Sequence, residues 1–148
     1  MKPTPKGWPR LSSALSYDEA AKAIDWLCEA FGFAVRLKVQ GDDGSIKHSE
    51  LTYGEALIMV AQAGNNPNHP GWPEGLSPRK AGGNTQSLML FVDDVDAHCA
   101  HAHGAIIVME PALHDYGKDH WADRSYGAID CGGHMWWFTQ RVRDEPEK

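Results

Sequence analysis

Hydrophobic and polar positions along the chain follow two periods, and the order in which those periods occur is written twice. Arg10 to Tyr17 alternates as a short strand. Across DEAAKAIDWLCEAFGF the apolar residues Ala20, Ala23, Ile24, Leu27 and Phe31 recur at three- and four-residue intervals, the stripe of an amphipathic helix. Ser16 and Glu19 have the spacing of a capping box at its start, and Gly32 closes it. Phe33 to Val39, Ile46 to Thr52 and Ala56 to Gln62 return to the strand period, with turns at 41–44 and 53–55. The spacing therefore predicts β-α-β-β-β over residues 10–62.

Residues 63–85 (AGNNPNHPGWPEGLSPRKAGGNT) have no period and are rich in Gly, Pro and Asn, the composition of a linker or of a loop over a site. Trp72 is the lone aromatic there, expected either to pack back on the body or to meet a ligand. The second set of elements runs over 86–142. It begins with a strand from Gln86 to Val92, Asp93 as N-cap, a helix from Val95 to His103 ended by Gly104, and a strand from Ala105 to Met109. After a polar loop at 110–120 comes WADRSYGAIDCGGHMWWFTQ, read as strand, Gly132-Gly133 turn and strand. Side chains alternate across a strand, so His134, Trp136 and Phe138 share one face and Met135, Trp137 and Thr139 the other. Both faces are largely apolar and both need a cover.

The two halves align with each other. Leu15 matches Leu90 and Asp18 matches Asp93, 75 residues apart; Gly54 matches Gly132, Val60 matches Phe138 and Gln62 matches Gln140, 78 apart. The fold class that follows is α+β, one chain of two similar units, with residues 1–9 as an arm outside the core.

Charge narrows the partners. Fourteen basic and twenty acidic residues give a net charge of −6, which opposes phosphate backbones and anionic membranes. A small molecule or another protein chain is the expected partner, with no nucleic acid and no membrane. No apolar run approaches a span and the N-terminus has no signal-peptide core, so the expected location is cytoplasmic. Cys28, Cys99 and Cys131 are odd in number and far apart. They read as reduced thiols rather than as a disulfide frame or a zinc site, and Cys131 carries no signal of an activated nucleophile.

SYDEAAKAIDWLCEAFGF, SLMLFVDDVDA and DRSYGAIDCGGHMWWF together resemble the vicinal oxygen chelate superfamily, which comprises the glyoxalase, bleomycin-resistance and extradiol dioxygenase proteins. The similarity covers about residues 10–142 and is greatest to bleomycin-resistance-like and PhnB-like members. The last segment is similar to the family's W-G-x-R…D-P-x-G-H-x-W-x-F ending, with Ala122 where Gly is usual and Cys131 where Pro is usual. The resemblance implies two βαβββ modules with curved mixed sheets enclosing a cavity, in a homodimer. It also implies a divalent metal held by His, Gln or Glu from the first and last strand of each module. Carried over, those positions fall at Ser12, Met59, Ser87 and Trp137. None is a normal ligand for a hard cation, and a one-residue slip offers Gln86 alone. The expectation is no cofactor and no family metal.

Other candidates come from pattern. His48 and Glu50 lie two apart on a strand and face one side, either as an acid-base pair or as an exposed face salt-bridged beside Lys47. Arg124 and Tyr126 share a face in the same way, and Tyr126 is the repeat partner of His48. His98, His101 and His103 mimic a metal cluster but read as a solvated helix face. His114, His120 and Trp121 flank a loop expected either to pack as an ordinary loop or to cover the cavity mouth. The leading expectation is a metal-free small-molecule binder lined by Met59, Met135 and Trp137, with His48, Glu50, Arg124 and Tyr126 as its polar edge and Trp121 at its rim. Resistance or sequestration follows by analogy, and net acidity favours cationic ligands. The alternative is an enzyme of the superfamily, a lyase, isomerase or dioxygenase, using a displaced metal or His48/Glu50 acid-base chemistry. A third reading is a protein-interaction module.

Overall fold

In a computed structural model describing residues 1–102 and 104–146, the chain forms two compact units, Met1–Gly83 and Asn84–Lys148. The first contains β1 (Ser13–Tyr17), α1 (Ala20–Phe31), β2 (Ala34–Gln40), β3 (Ile46–Tyr53), β4 (Ala56–Gln62) and a single turn of helix, α2 (Pro78–Ala81). The second contains β5 (Ser87–Phe91), α3 (Val95–His101), β6 (Ile106–Asp115), β7 (Ala122–Ile129) and β8 (Met135–Arg143). The strand orders, β1-β4-β3-β2 and β5-β8-β7-β6, are the same, and in each sheet the first strand runs parallel to the last. No helix among the described residues is long and apolar enough to cross a membrane.

The two offsets seen in the sequence are the register of these parallel pairs. Leu15 faces Val60 and Ala14 faces Met59 in the first sheet; Leu90 faces Phe138 and Met89 faces Trp137 in the second. In the first unit the apolar stripe of α1, with Ala20, Ile24, Leu27 and Phe31 fully buried, covers the face carrying Leu15, Tyr17, Ile58 and Val60. In the second, α3 lies against β6, β7 and β8, and Tyr126, Phe138 and Trp136 form a run of stacked rings.

The helix starts differ from expectation. The capping box does not form: Glu19 is the N-cap of α1 and makes no side-chain capping bond. Instead Gln62 Oε1 accepts the Ala20 N–H at 3.1 Å while its Nε2 donates to Asp18 O at 2.6 Å. Gln140 Oε1 accepts the Val95 N–H at 3.1 Å in the same way. The repeated glutamine thus satisfies a helix N–H that lacks an intrahelical partner in each unit. For α3 the neighbouring Asp94, not Asp93, supplies the side-chain cap, to Ala97 N–H at 2.9 Å.

The segment read as a linker belongs to the first unit up to Gly83. Gly64 and Gly75 exchange backbone bonds, and the fully buried Ser77 donates to Asp18 Oδ2 at 3.0 Å while capping α2. Trp72 remains exposed and stacks on His69 at 4.0 Å. His98 is not a solvated residue: its ring packs on Phe138 at 4.4 Å and its Nδ1 lies 2.6 Å from Tyr126 OH. His103 lies outside the described residues.

The turn between β7 and β8 is built on Asp130, which sequence reading passed over. Its carboxylate, 2% exposed, accepts Gly132 N–H and His134 N–H on Oδ1 and Trp136 Nε1–H on Oδ2, each at 2.9 Å. Gly133, with φ +96°, supplies the left-handed step that the turn requires. Because a one-residue slip would exchange the faces of β8, this clamp decides which tryptophan reaches the core and which the opposite face.

Candidate functional site

Each sheet has one face under its helix and one turned away from it, and the candidate residues divide between them. In the first unit Ser49 Oγ takes over the β3–β4 ladder, donating to Val60 O at 2.6 Å and accepting Val60 N–H at 3.0 Å. Leu51 pairs with Ile58 on the face that α1 covers, so by alternation His48 and Glu50 turn to the other side with Met59. His48 Nε2 lies 3.0 Å from Glu50 Oε1, and Arg36 Nε lies 3.3 Å from Glu50 Oε2. Glu50 is 6% exposed, so it needs such partners. Leu37 and Val39 of β2 pair with Glu50 and His48 and flank them with apolar surface.

Arg36 is the residue that sequence reading missed. It sits at a register shift in β2, between the Val35 and Leu37 pairings, where strict alternation fails. Its guanidinium also donates to Gly7 O and lies 5.4 Å from the Trp8 ring centre, tying the N-terminal arm to this sheet. A side chain at Gly7 would begin 3.2 Å from the guanidinium, at a φ of +78° that disfavours one.

In the second unit Met135 and Trp137 do share the face away from α3, with Met89 and Phe91 of β5. Gly127 is in register with Trp137, and a Cβ there would lie 2.9 Å from both Trp137 Cζ3 and Met135 Cε. The indole thus lies over the glycine. Beside it, Ser125 Oγ donates to Thr139 Oγ1 at 3.1 Å, and Arg141 Nε donates to Asp123 Oδ1 at 2.6 Å. The Arg141 guanidinium lies 5.7 Å from the ring centres of both Phe91 and Trp121. Trp121 therefore stands at one end of this face, against Tyr116 at 5.1 Å.

Arg124 and Tyr126 belong elsewhere. Tyr126 is fully buried, in register with Phe138 and bonded to His98. Arg124 makes a two-bond pair with Asp96 of α3 at 2.7 and 2.8 Å, which holds the Asp96 carboxyl below the usual carboxylate range and raises the guanidinium. Both lie on the helix side of β7, opposite Trp137. The expected polar edge is corrected accordingly: Arg36, not Arg124, is the arginine beside His48 and Glu50. Burial pushes the Cys28 and Cys99 thiols up, the direction of unreactive sulfur.

The positions where the superfamily carries its metal do not fit one here. Met59 presents a thioether, Trp137 an indole that fills the space over Gly127, and Ser87 an exposed hydroxyl. Ser12 Oγ is buried with no hydrogen-bond partner. These are neutral donors, and two of the four have no oxygen or nitrogen lone pair to give a hard cation. No cluster of three or more His, Cys, Asp or Glu suited to an ion occurs among the described residues.

A family model for the Glyoxalase/Bleomycin resistance protein/Dioxygenase superfamily matches residues 12–138. The chain belongs to this superfamily. Among its relatives, the uncharacterized protein Mb0911c of Mycobacterium bovis is 34% identical over 139 residues, 92% of this chain and 86% of that protein. The crystal structure of TioX from Micromonospora sp. ML1 is similar with a TM-score of 0.65 and 31% identity, over 90% of this chain and 99% of that one. Lactoylglutathione lyase from Agrobacterium tumefaciens shares the fold, with a TM-score of 0.56 at 16% identity over 92% and 94% of the two chains.

Proposed function

We propose that this member of the superfamily binds a small apolar molecule without the family metal, its ligand lying against the Trp137 face, and that it acts by sequestration. One observation carries the reading: the indole lies over Gly127 among Met135, Met89 and Phe91 at the position where a metal ligand would stand. Met89 and Phe91 are 60% and 51% exposed, an apolar surface of the kind that marks a binding site. Ser125 and Thr139 bond to each other, and Asp123 is matched by Arg141. The polar groups on this face therefore pair among themselves and leave apolar contact as its main offer.

Titration with planar aromatic compounds such as naphthol and acridine is expected to change the tryptophan fluorescence saturably. Trp137→Ala removes about 1.5–3 kcal/mol of apolar burial, which weakens binding about tenfold to hundredfold. Stoichiometric Mn, Fe, Ni or Zn in protein purified without chelators, lost together with an activity in Trp137→Ala, would overturn the reading. Homodimerisation belongs to the same proposal. It is supported by the edge strand β2, whose Val35, Leu37 and Val39 are 41–45% exposed, and light scattering giving a monomer mass would remove it.

A further inference from the structure

The first sheet carries a second arrangement that binding by the Trp137 face does not use. Glu50 is a buried carboxylate held from both sides, by Arg36 on Oε2 and by His48 on Oε1. A carboxylate accepts hydrogen bonds and donates none, so the neutral imidazole must place its proton on Nε2. Nδ1 is then a bare lone pair. Nothing among the described residues bonds to it, and the His48 side chain is 43% exposed on the face that carries Leu37 and Val39. An oriented imidazole with a buried carboxylate behind it and apolar surface around it is the arrangement of a general base.

We propose that His48 Nδ1 is a general base for an uncharged carbon acid presented on the apolar face of the first sheet, with Glu50 and Arg36 as positioning residues. The proton passes from the substrate carbon to Nδ1 and its electron pair stays with the substrate. The imidazolium so formed faces the Glu50 carboxylate and returns the proton to water. The net charge of −6 disfavours anionic substrates. The proposal goes beyond ligand binding, and it stands on the first unit alone, so it survives if the Trp137 face binds nothing.

The probe is 5-nitrobenzisoxazole. Loss of its ring C–H proton to a base breaks the N–O bond as the C≡N bond forms, and releases a coloured nitrophenolate. The protein is expected to accelerate this saturably over the same concentration of free imidazole, by roughly 10²–10⁴-fold. His48→Gln, whose amide can still donate to Glu50, should lose the excess rate with little change in melting temperature; His48→Ala should lose it as well, and added imidazole should restore part of it. Glu50→Gln and Arg36→Gln should lower kcat and retain KM. ¹⁵N NMR of the imidazole should show the Nε2–H tautomer in the native protein and a mixture in Glu50→Gln. A rate no greater than that of imidazole, a rate unaffected by His48→Gln, or an Nδ1–H tautomer in the native protein would each overturn the proposal.

Discussion

Replacing Asp130 by Asn tests whether the β7–β8 clamp sets the faces of β8. Asn keeps an oxygen for the Gly132 and His134 N–H groups, but places its NH₂ against the Trp136 indole N–H that the carboxylate now accepts at 2.9 Å. Trp136 is 1% exposed, so water does not replace the lost acceptor. A hydrogen bond to a charged group contributes about 1.5–3 kcal/mol, and a stranded buried donor costs about 1–3 kcal/mol. These describe one loss from two sides, so the expected cost is about 3 kcal/mol rather than their sum. In a chain of this size that lowers Tm by roughly 6–12 °C, against a total stability of about 5–15 kcal/mol. Trp136→Phe keeps a ring in the stack and removes the donor, so in that background Asp130→Asn should cost only about 1 kcal/mol. Urea unfolding of the four proteins, followed by circular dichroism, gives a coupling of about 2 kcal/mol. Additivity within about 0.5 kcal/mol would show that the indole bond does not hold the hairpin.

Three further outcomes are expected. Gln62→Ala and Gln140→Ala should each cost about 1 kcal/mol, the usual worth of a helix cap, and speed amide hydrogen exchange at Ala20 and Val95 respectively; unchanged exchange would remove the capping role. Gly127→Ala should change stability by less than about 1 kcal/mol, backbone stiffening offsetting the crowding. The same change should lift the Trp137 ring, altering near-ultraviolet circular dichroism and weakening aromatic ligands; an unaltered spectrum would refute the close approach. Bonds from Arg143 and Arg124 hold the Asp115 and Asp96 carboxyls below their usual range. What they add to stability is complete above the unfolded carboxylate pKa of about 3.9 and is lost as pH falls through the lower folded values. Arg143→Ala should raise the Asp115 carboxyl toward the ordinary range in a carboxyl NMR titration, the Gly117 N–H still holding it down.

Much of this was legible in the sequence. The 75- and 78-residue offsets matched β1 with β5 and β4 with β8, and because an internal duplication preserves register as well as element order, the matched residues face each other in the same way in both sheets. The alternation in HMWWFT put Trp136 and Trp137 on opposite faces, as observed, and the structure makes the Trp136 face the core. Alternation failed where strands depart from regularity. Arg36 occupies a register shift in β2, and no periodic pattern assigns a face to it. Arg124 and Tyr126 were placed with the ligand because the 78-residue offset pairs Tyr126 with His48, but the β3–β4 turn leaves two residues between its last pair, Tyr53 and Ala56, and the β7–β8 turn five, between Ile129 and Met135, so one offset cannot hold on both strands and His48 and Tyr126 face opposite ways. Asp130 was invisible because its partners lie within six residues and a turn aspartate usually needs no tertiary reason.

The pairing of first strand with last in both sheets has a consequence for synthesis. Neither sheet can be finished while its own final strand is still inside the ribosome, since β1 and β5 have no strand partner until β4 and β8 arrive. The amino-terminal half emerges whole before the other does, so the two are expected to mature one after the other, and a chain cut short between Gly83 and Gln140 would leave only the later half incomplete.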